Sequence, residues 1–123
     1  MFLGLRTVIY AVTDIDKATR WYAQVLSQEP YYAQPFYVGF KVGGFELGLD
    51  PDRTGVTQGN NAVVYWGVAD DKAAHARLLA LGARENKALE EVADGVFVAT
   101  VVDPFGNVLG IIENPGFKLE GRG

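Results

Sequence analysis

The sequence predicts an α+β fold made of two copies of one module, each consisting of a strand, a helix and three further strands. Two β-branched, apolar segments, LRTVIYAVT and NAVVYWGVA, are each followed by an aspartate and a helical apolar pattern. The aspartates, Asp14 and Asp70, lie 56 positions apart in the similar stretches AVTDIDKA and GVADDKAA. Three extended segments then follow each helix, whereas a ferredoxin-like repeat would place only one strand there.

The first module is expected to span about residues 5–50. Asp14 is predicted to cap its helix, because an aspartate there accepts hydrogen bonds from free amides of the first turn. Apolar residues recur at helical spacing through DIDKATRWYAQVLS, and Pro30 ends the pattern. Three short extended segments follow, near PYYA, PFYVGFKV and GFELGLD. Gly43 and Gly44 are typical of a tight hairpin between the last two.

Residues 51–60 are rich in turn formers and are predicted to be a linker. The second module is expected at 61–114, with Asp70 as the cap of the helix DKAAHARLLALGA and Gly82 as its end. The segments RENKALEEV, GVFVATVV and NVLGIIE follow, the last two joined by the turn DPFG. Residues 115–123 form a tail with few apolar anchors. Together the repeats make a single domain, as a chain of 123 residues allows.

Composition excludes several classes of function. No window carries the roughly 18 to 20 uncharged apolar residues that a membrane-spanning helix needs, and the N-terminus lacks the basic leader of an export signal. The absence of cysteine excludes disulfides and thiolate chemistry, which fits a reducing cytoplasm. The net charge is −4, and no basic stripe offers a surface for phosphates. We therefore expect a soluble cytoplasmic protein that binds neither membrane nor nucleic acid.

In the order and spacing of these segments, the sequence resembles the vicinal oxygen chelate superfamily, which includes glyoxalase I, bleomycin-resistance proteins and extradiol dioxygenases. The resemblance covers residues 5–114 and is carried by Val12 and Asp14 before the first helix, by WYAQVL at its end, by FELGL and by the closing DPFGNVLGIIE. It implies two βαβββ modules whose curved mixed sheets surround a cavity, with the helices outside. Small members are commonly homodimers, so the resemblance also implies a homodimer.

The superfamily's metal enzymes hold a divalent ion with side chains on the first and last strands of each module. Matched by motif, these positions are Thr7 and Glu46 in the first module, and Val63 and Gly110 in the second. Metal sites of this kind need at least three donors from His, Asp, Glu or Cys. The chain has one histidine, His75, which is predicted in the middle of the second helix. We therefore expect no metal and no other cofactor.

The predicted cavity surface is apolar, with one acid and several small residues. Strand alternation sends every second side chain to the cavity, and nearby aromatic rings suit a planar, largely apolar molecule. Two alternatives stay open, since glycines also let strands twist and aromatic rings also form ordinary core. The residues expected to bind a ligand are Thr7, Ile9, Phe36, Glu46, Gly48, Val63, Tyr65, Phe97, Phe105, Gly110 and Ile112.

Glu46 is the polar residue that these patterns single out. On an apolar wall its pKa should rise unless a hydrogen-bond donor meets it. It would then bind a cationic or hydrogen-bond-donating ligand, or act as a general base. The alternative is a structural carboxylate that is paired with Tyr65, Tyr10 or an arginine.

Three functions compete, and binding is preferred to catalysis. The first is a metal-independent protein that sequesters an aromatic or amphipathic small molecule, as bleomycin-resistance proteins do in drug resistance. The second is a glyoxalase-like lyase, isomerase or dioxygenase that uses Glu46 as base, or a rearranged metal site of Asp50, Asp103 and Glu113. The third is a structural or regulatory dimer, which is favoured if the protein's own side chains fill the cavity.

Overall fold

A computed structural model describes residues 1–118. Strands and helices follow one another in the order that the sequence predicts, and the predicted tail at 115–123 lies partly outside the described residues. In the described chain the elements are β1 (Thr7–Ala11), α1 (Ile15–Leu26), β2 (Tyr32–Gln34), β3 (Tyr37–Val42), β4 (Phe45–Asp50), β5 (Tyr65–Gly67), α2 (Asp71–Ala80), β6 (Arg84–Ala93), β7 (Val96–Val102) and β8 (Val108–Glu113).

Each module forms its own four-stranded mixed sheet. The strand order is β1-β4-β3-β2 in the first sheet and β5-β8-β7-β6 in the second. In both sheets the opening strand pairs in parallel with the last strand of its module, and the other pairs are antiparallel. The expected α+β class and its strand–helix–three-strand repeat are therefore confirmed. The chain divides into two compact units, Met1–Gly59 with Phe105–Asn107, and Asn60–Pro104 with the residues from Val108 onward.

Both helices begin at the predicted aspartates. Asp14 Oδ1 accepts a hydrogen bond from Lys17 N at 3.0 Å, and Asp70 Oδ1 accepts one from Ala73 N at 3.1 Å. Each cap satisfies an amide that the helix leaves free, which contributes about 1 kcal/mol. Gly82 follows the end of α2 with φ +107°, as predicted. Within residues 1–118, neither helix is long and apolar enough to cross a membrane.

The hairpin between β3 and β4 has the geometry that its two glycines allow. Val42 pairs with Phe45, which leaves Gly43 and Gly44 as the two loop residues. Their φ angles are +58° and +89°. A two-residue turn with both central φ angles positive matches the twist of the flanking strands, and glycine adopts it without strain. The turn therefore fixes the register of β4 against β3.

Helix α1 packs on one face of the first sheet, against β3 and β4. The Trp21 and Tyr22 rings of α1 meet edge to face with centroids 4.8 Å apart. On the opposite face, which we call the open face of the first sheet, Thr7 is exposed and Ile9 is 54% exposed. The buried apolar residues of this unit are Tyr10, Val12, Ala18, Trp21, Tyr22, Val38, Phe40, Leu47 and Leu49.

Helix α2 packs on one face of the second sheet, against β6, β7 and β8. The face away from α2 carries Tyr65, Gly110 and Ile112, and we call it the open face of the second sheet. Strand β6 is irregular, with shifts in its pairing to β7 between Glu85 and Lys87 and again before Glu90. The buried apolar residues of this unit are Leu78, Ala83, Ala99, Val101, Leu109 and Ile111.

Candidate functional site

Glu46 projects onto the open face of the first sheet, where three hydroxyl groups donate hydrogen bonds to its carboxylate. Thr7 Oγ1 donates to Oε1 at 2.8 Å, and Tyr37 Oη donates to the same oxygen at 2.9 Å. Tyr31 Oη donates to Oε2. Thr7 is the direct neighbour of Glu46 in the parallel pairing of β1 with β4. Strand pairing therefore places one of the three donors without any help from loops.

These hydroxyl groups hold Glu46 in its charged form. The hydrogen bond from Tyr31, followed by that from Thr7, lowers the pKa of Glu46 below its ordinary value, and partial burial opposes them only in part. The bond to Glu46 in turn raises the pKa of Tyr31, so this phenol keeps its proton at neutral pH. A hydrogen-bond donor therefore does meet Glu46, and the rise in pKa expected on a bare apolar wall does not occur.

The partners named in the alternative of a structural Glu46 carboxylate, which were Tyr65, Tyr10 or an arginine, are not the ones that the structure places there. Tyr31 precedes β2, and its backbone amide donates to Gly39 O at 3.0 Å, which brings its ring beside β3. A Cβ at Gly39 would lie 2.9 Å from Glu46 Oε2 and 3.1 Å from a Tyr31 ring carbon. Glycine at this position is the one sequence signal that a ring and a carboxylate meet over the strand.

Tyr37 reaches Glu46 by lying across Gly48. A Cβ at Gly48 would be 2.0 Å from Tyr37 Oη and 2.6 Å from the ring carbon that carries it. The second sheet also has a tyrosine over a strand glycine, but this one comes from the opening strand: a Cβ at Gly110 would lie 2.7 Å from a ring carbon of Tyr65. Of the three glycines predicted to leave room, Gly48 and Gly110 therefore each make room for a tyrosine of the same unit, and Gly67 does not.

The strand register corrects the matching of Gly110 with Glu46. Ile9 and Tyr65 are equivalent, since they are 56 positions apart like the two capping aspartates. In the parallel pairs, Ile9 lies opposite Gly48 and Tyr65 lies opposite Gly110. Gly110 is therefore the counterpart of Gly48 and not of Glu46. A short motif could not reveal this, because the segments between the first and last strands differ in length between the modules.

The residues present do not fit the divalent metal site of the superfamily's metal enzymes. Glu46 carries the one carboxylate among the matched positions, and Thr7 offers a neutral hydroxyl that it already donates to Glu46. Val63, Gly110 and Val108, the register counterpart of Glu46, have no donor atom in their side chains. Within residues 1–118, no three His, Cys, Asp or Glu side chains are grouped closely enough to hold a metal ion. No catalytic step is therefore assigned to a metal.

The rearranged metal site has no support from these contacts either. The carboxylates of Asp50 and Glu113 each accept a hydrogen bond from a backbone amide, at 2.8 and 2.9 Å. Asp103 is buried in the turn between β7 and β8. His75 lies in the middle of α2, as predicted, and its Nε2 is 3.1 Å from Glu85 Oε1. Each of these groups has a local partner or a local structural position.

Phe97 and Phe105, which were expected to bind a ligand, lie on the helix-covered faces instead, and so does Phe40. Phe40 is fully buried in the core of the first unit. Phe105 packs edge to face on Trp21 of α1, with ring centroids 6.4 Å apart. Phe97 pairs with Glu113 and so points away from the open face of the second sheet. The apolar run VFVATVV does not show which face is which, because a strand apolar on both faces carries no register signal.

The other residues expected to bind a ligand lie on or beside the open faces. In the first unit these are Thr7, Ile9, Glu46 and Gly48 on the sheet, together with Phe36, which is 64% exposed directly before β3. In the second unit they are Val63 before β5, then Tyr65, Gly110 and Ile112 on the sheet. Ligand binding by these residues stays a prediction.

A cavity of about 460 Å³ opens beside Tyr65 on the second sheet. Its volume is within the range of about 300–1,000 Å³ that small-molecule pockets occupy. It is lined by Tyr65, Lys87, Ala88, Leu89, Glu90, Val92, Val98, Ala99 and Thr100. Of these residues the sequence predicted only Tyr65. The pairing of β6 with β7 is irregular, so simple alternation along β6 does not show which of its side chains face the cavity.

We expect Glu46 to titrate below the ordinary glutamate value of 4.5. Because hydroxyl donors favour the charged form, the stability they contribute is present above the unfolded-state pKa and is lost as pH falls through the folded-state pKa. Carbon-13 NMR of the side-chain carboxyl measures the titration. Tyr31→Phe should raise the pKa of Glu46, whereas Tyr32→Phe, on the neighbouring exposed tyrosine, should leave it unchanged. An unchanged Glu46 pKa in Tyr31→Phe would contradict this assignment.

The chain is similar to proteins of one group over nearly its whole length. Its sequence matches the model of the glyoxalase-like domain family over residues 7–112. The fold is similar to that of a glyoxalase-related enzyme from Fulvimarina pelagi, with a TM-score of 0.78, 18% identity and coverage of 98% of this chain and 94% of that one. No curated protein matches the sequence.

Two further solved structures bear names of different functional kinds. A lactoylglutathione lyase from Agrobacterium tumefaciens has a TM-score of 0.71 and 24% identity, covering 94% of this chain and 98% of that one. A glyoxalase / bleomycin resistance protein from Catenulispora acidiphila has a TM-score of 0.68 and 25% identity, covering 91% of this chain and all of that one. The shared fold therefore does not by itself choose between catalysis and binding.

Proposed function

The chain belongs to the glyoxalase-like domain family, and from that premise we propose that it is a metal-independent binding protein for a small cationic molecule with an aromatic or amphipathic body. The ligand would bind on the open face of the first sheet, and sequestration of a drug or antibiotic is the corresponding biological role. The observation that carries the proposal is the Glu46 carboxylate, which three hydroxyl groups hold in its charged form.

Aromatic surface beside this charge supports a cationic ligand with a flat apolar body. Tyr31, which touches Glu46, is 55% exposed, and Phe36 exposes still more of its ring. Lys41 Nζ lies 5.1 Å from the centroid of the Tyr31 ring. Lys41 thus occupies one face of this ring in a cation–π contact, an interaction worth about 0.5–1 kcal/mol at exposed sites. A ligand cation would take the place of Lys41 over this ring, or bind its other face, and would be attracted by the charge of Glu46, on which Lys41 also acts.

The contacts of Glu46 weigh against its use as a general base. A base should have a pKa near the working pH and a free lone pair at the reacting proton. The hydrogen bonds lower the pKa of Glu46, which makes it a weaker base. They also occupy three of the about four acceptor positions that a carboxylate offers. Binding therefore agrees better with this geometry than the lyase, isomerase or dioxygenase alternative does.

The cavity beside Tyr65 supports a small-molecule role for the second unit separately. Leu89, Val92 and Val98 give it apolar walls, while Lys87 and Glu90 place charges at the same cavity. Such a mixture of apolar lining and a few polar groups is typical of small-molecule sites. It suits an amphipathic molecule rather than a uniformly polar one.

Glu46→Gln should weaken a cationic ligand more than its neutral counterpart, because the substitution removes the charge and keeps the shape. Suitable probes are N-methylquinolinium and the isosteric 1-methylnaphthalene, with affinities measured by quenching of tyrosine and tryptophan fluorescence. We expect the cation to bind about 1 kcal/mol more weakly, roughly fivefold, and the neutral probe to change little. Glu29→Gln, an equal charge change at an exposed residue of the same unit, is the matched control.

Two results would count against the proposed function. Equal losses for the two probes in Glu46→Gln would mean that the charge of Glu46 does not contribute to binding. An equal loss of the cation in Glu29→Gln would mean that net charge, rather than this site, controls its affinity.

A further inference from the structure

A second cavity, of about 380 Å³, lies on the α2 side of the second sheet. Four carboxylates, one lysine and two apolar side chains, Leu89 and Phe97, line it. The carboxylates come from α2, β6 and β8, so three separate elements bring like charges to one place. Glu90 also lines the cavity beside Tyr65, whereas Asp71, Glu91 and Glu113 do not. Like charges gathered from separate elements favour a cation between them.

Asp71 is the innermost of these acids. It is the first residue of α2 and only 1% exposed, and within residues 1–118 neither oxygen of its carboxylate has a hydrogen-bond partner. Its backbone amide donates to Glu113 Oε1 at 2.9 Å, which brings a second carboxylate next to it. A buried charged group without a partner is strongly unfavourable, so this position calls for a positive charge or a proton.

The protein's nearby basic groups compensate the charge of Asp71 only in part, and none of them donates a hydrogen bond to its carboxylate within residues 1–118. Lys72 also lines the cavity. Because the side chains of consecutive helical residues point in different directions, the Lys72 ammonium does not pair with the Asp71 carboxylate. His75 lies one turn further along, and its Nε2 is 3.1 Å from Glu85 Oε1. Burial, followed by the charge of Glu113, raises the pKa of Asp71, and the charge of His75 opposes this rise only in part.

The chemistry of the lining selects the kind of cation. No three His, Cys, Asp or Glu side chains of residues 1–118 are arranged to hold a metal ion, so a divalent ion is not favoured. A primary ammonium has three N–H donors for carboxylate oxygens, and an alkyl stem would contact the Leu89 and Phe97 side chains. We propose that this cavity, with Asp71 and Glu113 at its base, is a binding site for a small aliphatic primary amine.

Titration with butylammonium chloride, followed by amide NMR shifts of the labelled protein, tests the site. We expect saturable shifts at Asp71, Phe97 and Glu113, and none with 1-butanol or with potassium chloride at the same ionic strength. Asp71→Asn should weaken butylammonium binding roughly tenfold or more, because hydrogen bonds to a charged group are lost. Asp16→Asn, in the first turn of α1, is the matched control and should change nothing. Glu46→Gln should also leave this binding intact, which separates the two sites.

Stability without the amine distinguishes a binding role of Asp71 from a structural one. Since the carboxylate has no partner, Asp71→Asn should not lower the melting temperature, and a lowered one would overturn the proposal. Retained affinity in Asp71→Asn, or an absence of saturable shifts, would also overturn it. If Asp71→Asn does not fold, Lys72→Gln provides the test. Lys72 places a positive charge at the cavity that repels an ammonium ion, so its removal should strengthen butylammonium binding roughly twofold. Unchanged or weaker binding would refute the site.

Discussion

Phe40→Ala is expected to lower the free energy of unfolding by about 3–5 kcal/mol, the range measured when a phenylalanine is removed from a well-packed core. Phe40 is fully buried on β3, on the face that α1 covers. Its removal takes apolar surface out of the core and leaves a cavity that the surrounding strands can only partly close. Urea denaturation followed by circular dichroism measures the change.

Phe36→Ala is the matched control, with the same substitution four positions earlier. Phe36 is 64% exposed, so its removal should change the free energy of unfolding by no more than about 0.5 kcal/mol. It should instead weaken N-methylquinolinium binding if its ring contacts the ligand as proposed. Comparable losses of stability in the two variants would contradict the assignment of a covered and an open face to the first sheet.

Gly48→Ala is expected to have the second-largest effect, because one methyl group meets the Tyr37 ring. A Cβ there would lie 2.0 Å from Tyr37 Oη, so the ring must leave its place across β4. Overpacking of this kind lowers the free energy of unfolding by about 1–3 kcal/mol. The displaced phenol also stops donating to Glu46, so the pKa of Glu46 should rise. Urea denaturation and the carboxyl NMR titration measure the two effects separately.

Gly67→Ala is the matched control for that substitution. Gly67 is also a strand glycine with negative φ, and among residues 1–118, its chain neighbours apart, no atom lies within 4 Å of a Cβ built there. Alanine should therefore be accepted with little change in stability, and the pKa of Glu46 should not move. If Gly48→Ala were as harmless as Gly67→Ala, the placement of Tyr37 across β4 would be wrong.

The fold could be predicted because its main signals are local. Asp14 and Asp70 cap helices through bonds to amides three residues away, and Gly43 and Gly44 adopt a turn that few other residues allow. Such signals need no knowledge of the rest of the chain. Their repetition at a fixed spacing then predicted two equal modules, and the two sheets have the same strand pairing.

The candidate site was predicted only in part, because its contacts depend on pairing between distant strands. Glu46 was predicted as the acid on the open face, but its hydrogen-bond donors Tyr31 and Tyr37 were not. Tyr31 comes from the segment before β2 and Tyr37 from β3. The predictions that Phe97 faces the cavity and that Gly110 is the counterpart of Glu46 were also wrong, because both depend on strand register. A shift of one residue in register exchanges the two faces of a strand.

Amide NMR mapping with N-methylquinolinium tests the central claim, that the open face of the first sheet is a ligand site anchored by Glu46. Saturable shifts are predicted at Thr7, Ile9 and Glu46 and in the loop that carries Tyr31, and these shifts should weaken in Glu46→Gln. Saturable shifts confined to other parts of the chain, or no saturable shifts with this probe, would contradict it.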